Sequence, residues 1–148
     1  MANIMDVSRW FLSKDSMSPK KIQKLCYYFV AWGYALLDKQ LVDDDVFEAW
    51  VHGPVSKTLY KEYREHGWQD VPSKEFNSDD IFDEKSLDLL ESVYLTYGDL
   101  SANELEALTH TESPWQIARQ GLDPYEICNK KINTEDMKSY YKSIYIGE

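Results

Sequence analysis

Cysteine and histidine are scarce in this sequence. Two cysteines, Cys26 and Cys128, and three histidines occur among its 148 residues. Two cysteines do not build the disulfide framework of a small secreted domain, and they favour a reducing cytoplasm. No CxxC, HxxxH or HExxH spacing is present, which are the spacings that place two ligands on one metal ion. We therefore expect a cytoplasmic protein that holds no metal and no other cofactor.

Long apolar runs and basic residues are also scarce. No stretch approaches the ~18–20 apolar residues that span a membrane, and the N-terminal segment lacks the apolar core of a signal peptide. Lysine and arginine number 16 against 26 aspartates and glutamates, which gives a net charge of −10. Nucleic-acid binders gain most of their affinity from Lys and Arg on phosphates. We therefore expect neither membrane nor nucleic acid as a partner, and a basic partner protein fits better.

The usual catalytic motifs are missing as well. The six glycines are not clustered into a phosphate-binding loop, and there is no GxSxG motif. Cys26 follows Ile22 and precedes Phe29 on one apolar helix face, where a cysteine packs as a small hydrophobic side chain. The residues therefore predict no catalytic centre.

Helix start and stop signals are abundant, and the composition is globular, with 43% hydrophobic residues. Ser18-Pro19 is typical of a helix start, and apolar residues continue at helical spacing to about Asp38. We predict a mainly α-helical, single compact domain, residues 1–148, of about six to seven helices around this long central helix. The first predicted helix covers residues 3–13, a third is opened by Gly53-Pro54 and ended by Gly67, and a fourth is capped by Asp83 and ended by Gly98. A fifth helix is capped by Ser101, with Glu104 in a capping box. A short sixth helix is begun by Ser113-Pro114, with Gln116 in the capping-box position and Gly121 at its end, and a last helix is capped by Asn133.

Residues 46–51 are predicted to form a short β element. They are β-branched and aromatic, and they lie between three aspartates and Gly53-Pro54. The segment near Asp70-Val71 is one candidate for the pairing strand.

Three lysines, Lys20, Lys21 and Lys24, crowd the first turns of the central helix, where positive charge opposes the helix dipole. Carboxylates such as Asp15 could neutralise them while their stems cover apolar surface, which is the interpretation we favour. Alternatively, they receive an acidic partner or an anion.

Two further segments, 49–55 and 108–115, each place a His and a Trp beside a Pro-initiated helix. They predict two helix corners, in which the His bonds backbone and the Trp packs. Together with the run KIQKLCYYFVAW, these corners resemble the Panacea domain family, also called the SocA-like antitoxin or phage-associated GepA-like family. The resemblance extends from about Ile4 to Tyr145. The motif residues, which are candidates for partner binding, are Lys21, Lys24, Tyr27, Tyr28, Trp32, Trp50, His52, Gly53, Pro54, Tyr60, His110, Glu112, Pro114 and Trp115.

The resemblance implies a non-enzymatic antitoxin that neutralises a partner toxin, encoded by a neighbouring gene, through direct binding. An alternative implied by the same family is a proteolytic adaptor that delivers the toxin to a Clp protease. The residues leave two more hypotheses open: a hydrolase that uses His52 and His110 in one accessible cleft, and a phage regulatory protein without a toxin.

Overall fold

Seven α-helices account for about half of residues 1–146, which are the residues that the computed structural model describes. The elements are α1 (Ile4–Leu12), α2 (Pro19–Trp32), β1 (Glu48–Trp50), β2 (Gly53–Val55), α3 (Lys57–Tyr63), α4 (Glu84–Tyr97), α5 (Ala102–His110), α6 (Ser113–Ala118) and α7 (Thr134–Ile146). A π-helical turn, Gly33–Leu37, extends α2, and a 3₁₀ turn, Arg64–His66, extends α3. The predicted mainly α-helical fold is confirmed. None of the helices in the described part of the chain combines the length and apolarity needed to cross a membrane.

Helix α2 is the centre of the fold. Ten consecutive residues, Ile22 to Ala31, are buried, and α1, α3, α4, α5, α7 and β2 all pack against α2. Its π-helical extension ends at Asp38, which adopts a left-handed conformation with φ 54°. The predicted end of the central helix at about Asp38 is therefore correct.

Most of the predicted caps are present because they depend on residues only three positions apart. Ser18 and Asp83 accept a backbone N–H in the first turns of α2 and α4. Ser101 and Glu104 form the reciprocal capping box of α5. The Asn133 side chain likewise accepts two backbone N–H groups at the start of α7.

The predicted β element is correct, but its neighbourhood differs from the prediction. Gly53-Pro54 does not open a helix: these residues belong to β2, which pairs antiparallel with β1, with Ala49 opposite Pro54. Helix α3 begins later, because Ser56 caps it by accepting the Leu59 N–H. Val71, the candidate partner of β1, instead bridges to Met17.

The start of α6 also differs from the prediction. Ser113 is the first residue of the helix and Glu112 occupies the cap position, without a side-chain capping bond. The Gln116 side chain donates to the His110 carbonyl (2.8 Å), so no capping box forms. The helix ends at Ala118, and Gly121 lies in the following turn with φ +90°. Glu112 makes no capping bond because its side chain turns into the core, where two tyrosines donate hydrogen bonds to it.

Candidate functional site

Two buried polar residues of α2 hold the hairpin of β1 and β2 in place. The Gln23 amide donates to the Ser56 carbonyl (2.9 Å) and accepts the Ser56 N–H (2.8 Å). Lys24 donates from Nζ to the Pro54 carbonyl (3.1 Å). The end of the hairpin is therefore fixed to the central helix by three hydrogen bonds between buried groups.

Lys24 is a buried amine whose one side-chain hydrogen bond among the described residues goes to Pro54. Burial, helped by the neighbouring charge of Lys20, lowers its pKa to about 7, while Glu106 acts in the opposite direction. Gly53 leaves room for this side chain, since an added Cβ would lie 2.6 Å from Lys24 Cε. Gly53 also has φ +108°, a conformation that other residues rarely adopt. The backbone conformation thus favours glycine at this position, and the missing side chain leaves room for Lys24.

The two predicted corners meet at β1. Trp115 donates its indole N–H to the Trp50 carbonyl (2.8 Å), and Arg119 donates to the Ala49 carbonyl (2.8 Å). His110 stacks on Trp115, with ring centroids 4.0 Å apart. The two predicted corners, residues 49–55 and 108–115, therefore pack against each other and form one continuous structure.

Glu106 links this structure to the start of α2. It forms an ion pair with Lys20, and its Oε2 lies 3.1 Å from Nδ1 of His52. Burial acts to raise the pKa of Glu106, but the hydrogen bonds from Lys20 and His52 outweigh it and lower the pKa. Glu106, rather than Asp15, is therefore the carboxylate that pairs with Lys20. Lys21 donates to the Gly98 carbonyl (2.6 Å) instead.

The two histidines do not share an accessible cleft. The His52 side chain is 67% exposed and lines the surface cavities beside the hairpin. His110 lines neither of these cavities, and its Nε2 atom is buried without a hydrogen-bond partner among the described residues. Burial lowers the pKa of His110, which favours the neutral ring. The hydrolase arrangement expected of His52 and His110 is therefore not formed.

A groove of about 400 Å³ opens beside the hairpin, between α2 and α3. We call it the hairpin groove. Its wall is mainly apolar and aromatic, and its charged side chains are all basic. Two of its aromatic residues face solvent: Trp68 is 84% exposed and Tyr60 is 43% exposed. The side chains that shape the groove and set its charge are Lys20, Lys24, Trp50, His52, Val55, Leu59, Tyr60, Arg64 and Trp68.

A second cavity, of about 370 Å³, lies beside the hairpin and shares Trp50, His52 and Val55 with the hairpin groove. Ile127, which is 90% exposed, contributes to its wall. Exposed apolar side chains from the neighbouring segments therefore border both cavities beside the hairpin, an arrangement that is typical of protein-binding surfaces.

Three of the motif residues belong to a buried network. The hydroxyls of Tyr28 and Tyr141 donate to Oε1 of Glu112 at 2.8 and 2.7 Å, and the Tyr27 hydroxyl lies 3.2 Å from that of Tyr141. Burial raises the pKa of Glu112 to about 7, although the two tyrosine hydrogen bonds act to lower it. Tyr27 and Tyr28 are completely buried. This network supports the core and is closed to a partner.

Two other motif residues, Trp32 and Pro114, also contact the interior of the protein. Trp32 donates to the Tyr97 hydroxyl (2.8 Å), and Tyr97 in turn stacks on Tyr28, with ring centroids 4.0 Å apart. Pro114 is buried in the first turn of α6. Which motif residues contact a partner stays a prediction.

Several important residues gave no clear signal in the sequence. Gln23 lies inside the KIQKLCYYFVAW run of α2, yet only its burial beside Ser56 shows that it holds the hairpin. Arg119 is 5% exposed, and besides Ala49 it donates to the carbonyls of Asp123, Pro124 and Glu126. Its partners are peptide carbonyls, which no side-chain pattern reveals. In the described residues, no group of three or more His, Cys, Asp or Glu side chains is placed to hold a metal ion.

Comparison with known proteins gives two matches. The family model described as "Antitoxin SocA-like, Panacea domain" matches residues 22–116, which include both corners and the hairpin. The protein named Antitoxin SocA from Caulobacter vibrioides is 30% identical, over 75% of this chain and 67% of its own length. No solved structure matches the chain.

Proposed function

Because the chain belongs to the family of SocA-like antitoxins with a Panacea domain, we propose that it is a non-enzymatic antitoxin that neutralises a toxin protein by binding it directly. The observation that carries this proposal is the family match, which covers most of α2, the hairpin and both corners. The relative that is 30% identical is itself named an antitoxin.

The surface of the protein supports a binding role. The hairpin groove combines an apolar wall with exposed aromatic side chains, and Trp, Tyr and Arg are the residues that most often dominate the affinity of protein interfaces. The groove is also pre-formed, since Gln23 and Lys24 fix the hairpin to α2. A rigid surface loses little conformational entropy when a partner binds.

The reactive side chains are poorly placed for catalysis. Cys26 is completely buried, and burial raises the pKa of its thiol, so that the nucleophilic thiolate is disfavoured. His110 stacks on Trp115 outside both cavities beside the hairpin. These positions support a role in which the protein binds its target without transforming it.

Co-expression with the product of the neighbouring open reading frame tests the proposal. Expression of the neighbour alone should arrest growth, and co-expression of this protein should restore it. A matched control is Gly53→Pro, which removes the left-handed conformation of the hairpin turn and should abolish rescue. If the neighbour is harmless, or if it arrests growth equally in the presence of this protein, the proposal is wrong for this chain.

The same experiment in a host that lacks the Clp peptidase separates two mechanisms. Neutralisation by binding alone restores growth in both hosts, since the complex itself blocks the toxin. Delivery to the protease restores growth only in the host that contains the peptidase. We expect rescue in both hosts, and loss of rescue in the deletion host would replace sequestration by the adaptor mechanism.

A further inference from the structure

We infer that the hairpin groove is the surface that binds the toxin, and that it receives an aromatic or aliphatic side chain of the toxin together with an adjacent acidic residue. This inference rests on the proposed antitoxin function and adds to it the position of the interface and the chemistry of the bound segment.

The groove is shaped to receive an apolar side chain. Its volume of about 400 Å³ lies within the range of sites that enclose ligand groups. Leu59 and Val55 contribute aliphatic wall, while the rings of Trp50 and Tyr60 meet edge to face with centroids 5.0 Å apart. The indole N–H of Trp50 is already bonded to Glu48 (2.9 Å), so this ring requires no further hydrogen bond from a partner. The wall therefore offers mainly apolar contact.

Trp68 provides the contact area at the rim. It is 84% exposed, and it lines the groove together with the exposed Tyr60. An isolated protein gains nothing from holding a large indole in water, whereas an indole that becomes buried on binding contributes strongly to affinity. The position of Trp68 thus points to an interface that is completed by another chain.

The charge of the groove indicates which kind of toxin residue lies next to the apolar side chain that enters it. The chain carries a net charge of −10, yet every charged side chain that lines the groove is basic. Lys20 and His52 are both engaged by Glu106. Arg64 is exposed and takes part in no ion pair and no side-chain hydrogen bond among residues 1–146. Its guanidinium is therefore available for two parallel hydrogen bonds to one carboxylate.

Charge complementarity thus favours an acidic segment over a basic one at this position. Lys20, Lys24 and Arg64 form the basic side of an otherwise apolar groove. A toxin with a basic surface overall is compatible with this contact. Long-range attraction between the two proteins depends on their net charges, whereas the groove contacts a single acidic residue of the toxin.

Binding of the purified product of the neighbouring open reading frame, measured by biolayer interferometry, tests the inference. Trp68→Ala and Arg64→Glu should each weaken binding at least tenfold. The matched controls lie on α4: Leu95→Ala removes an apolar side chain that is 83% exposed, and Lys85→Glu reverses an exposed charge. Both controls should bind within twofold of the wild type. Arg64→Lys should retain part of the affinity that Arg64→Glu loses.

The outcomes separate the inference from the proposed function. If the wild type binds and the groove variants bind equally well, the protein is an antitoxin that uses another surface, and the inference is overturned. If the wild type itself does not bind, the proposed function fails and the inference fails with it. If light scattering shows that this protein alone dimerises and that Trp68→Ala breaks the dimer, the groove is occupied by a second copy and the inference is again wrong.

Discussion

Replacement of Glu112 by Gln should change how the stability of this protein depends on pH. Glu112 is 4% exposed and accepts hydrogen bonds from Tyr28 and Tyr141. Its pKa rises from 4.5 to about 7 in the folded protein, mainly because burial disfavours the carboxylate. Between these two pH values the folded protein retains a proton that the unfolded chain has released. Raising the pH in this window therefore favours unfolding.

The magnitude follows from the pKa. The stability that Glu112 contributes as a neutral acid is fully present below about pH 4.5 and is lost as the pH rises through about 7. Linkage gives a loss of about 2–3 kcal/mol between pH 5 and pH 8. Gln has a similar shape and no charge, so Glu112→Gln should remove this loss. The free energy of unfolding of the variant, minus that of the wild type, should therefore increase by about 2–3 kcal/mol from pH 5 to pH 8.

Urea unfolding followed by tryptophan fluorescence at pH 5 and pH 8 measures this difference. Comparison of the variant with the wild type at each pH cancels the contributions of other titrating groups, among them Lys24. Glu75→Gln, which removes an exposed carboxylate outside the network, is the matched control for the loss of one carboxylate. If the difference between Glu112→Gln and the wild type is the same at both pH values, the reasoning about the buried carboxyl is refuted.

Three further predictions concern the frame of the hairpin and the core. Gly53→Ala should lower the free energy of unfolding by about 2–3 kcal/mol, because φ is +108° and the new Cβ would lie 2.6 Å from Lys24 Cε. Gly121 also has a positive φ, +90°, but no atom lies within 4 Å of its added Cβ. Gly121→Ala should therefore lower the free energy of unfolding by less in the same urea titration. Gln23→Leu should lower the free energy of unfolding by about 1–3 kcal/mol, because it leaves the buried N–H of Ser56 without a partner, while the Ser56 carbonyl keeps only its bond from the Tyr60 N–H. An unchanged urea midpoint would contradict this. Cys26 should resist iodoacetamide at pH 8 in the native protein and react in urea, as followed by peptide mass spectrometry, since it is completely buried and burial raises its pKa.

The parts of the fold that the sequence predicts correctly are those with local causes. The capping box of Ser101 and Glu104, and the Ser18-Pro19 start of the central helix, each depend on residues within one helical turn. The end of that helix near Asp38 follows from the apolar spacing that precedes it. Such signals survive folding because no distant residue competes for the same backbone groups.

The errors arise where distant residues decide. Gly53-Pro54 has the pattern of a helix start, but Lys24 binds the Pro54 carbonyl and holds the segment as a strand. Ser113 has the pattern of a helix cap, but the preceding Glu112 is drawn into the core by two tyrosines. Both competitors lie far away in the sequence, so the local pattern does not contain them.

The candidate site is predictable only in part for the same reason. Trp50, His52 and Tyr60 are among the motif residues, and all three line the hairpin groove. Arg64 and Trp68 are not motif residues, and their importance depends on exposure beside the groove. Exposure of a single aromatic residue after a short helix is set by the packing of the neighbouring elements, which the sequence alone does not specify.

Direct association is the central claim, and native mass spectrometry of the two purified proteins tests it most directly. This protein is mixed with the product of the neighbouring open reading frame, with no protease present. The proposed mechanism predicts a discrete species that contains both chains. Two separate species across the accessible concentration range would contradict it.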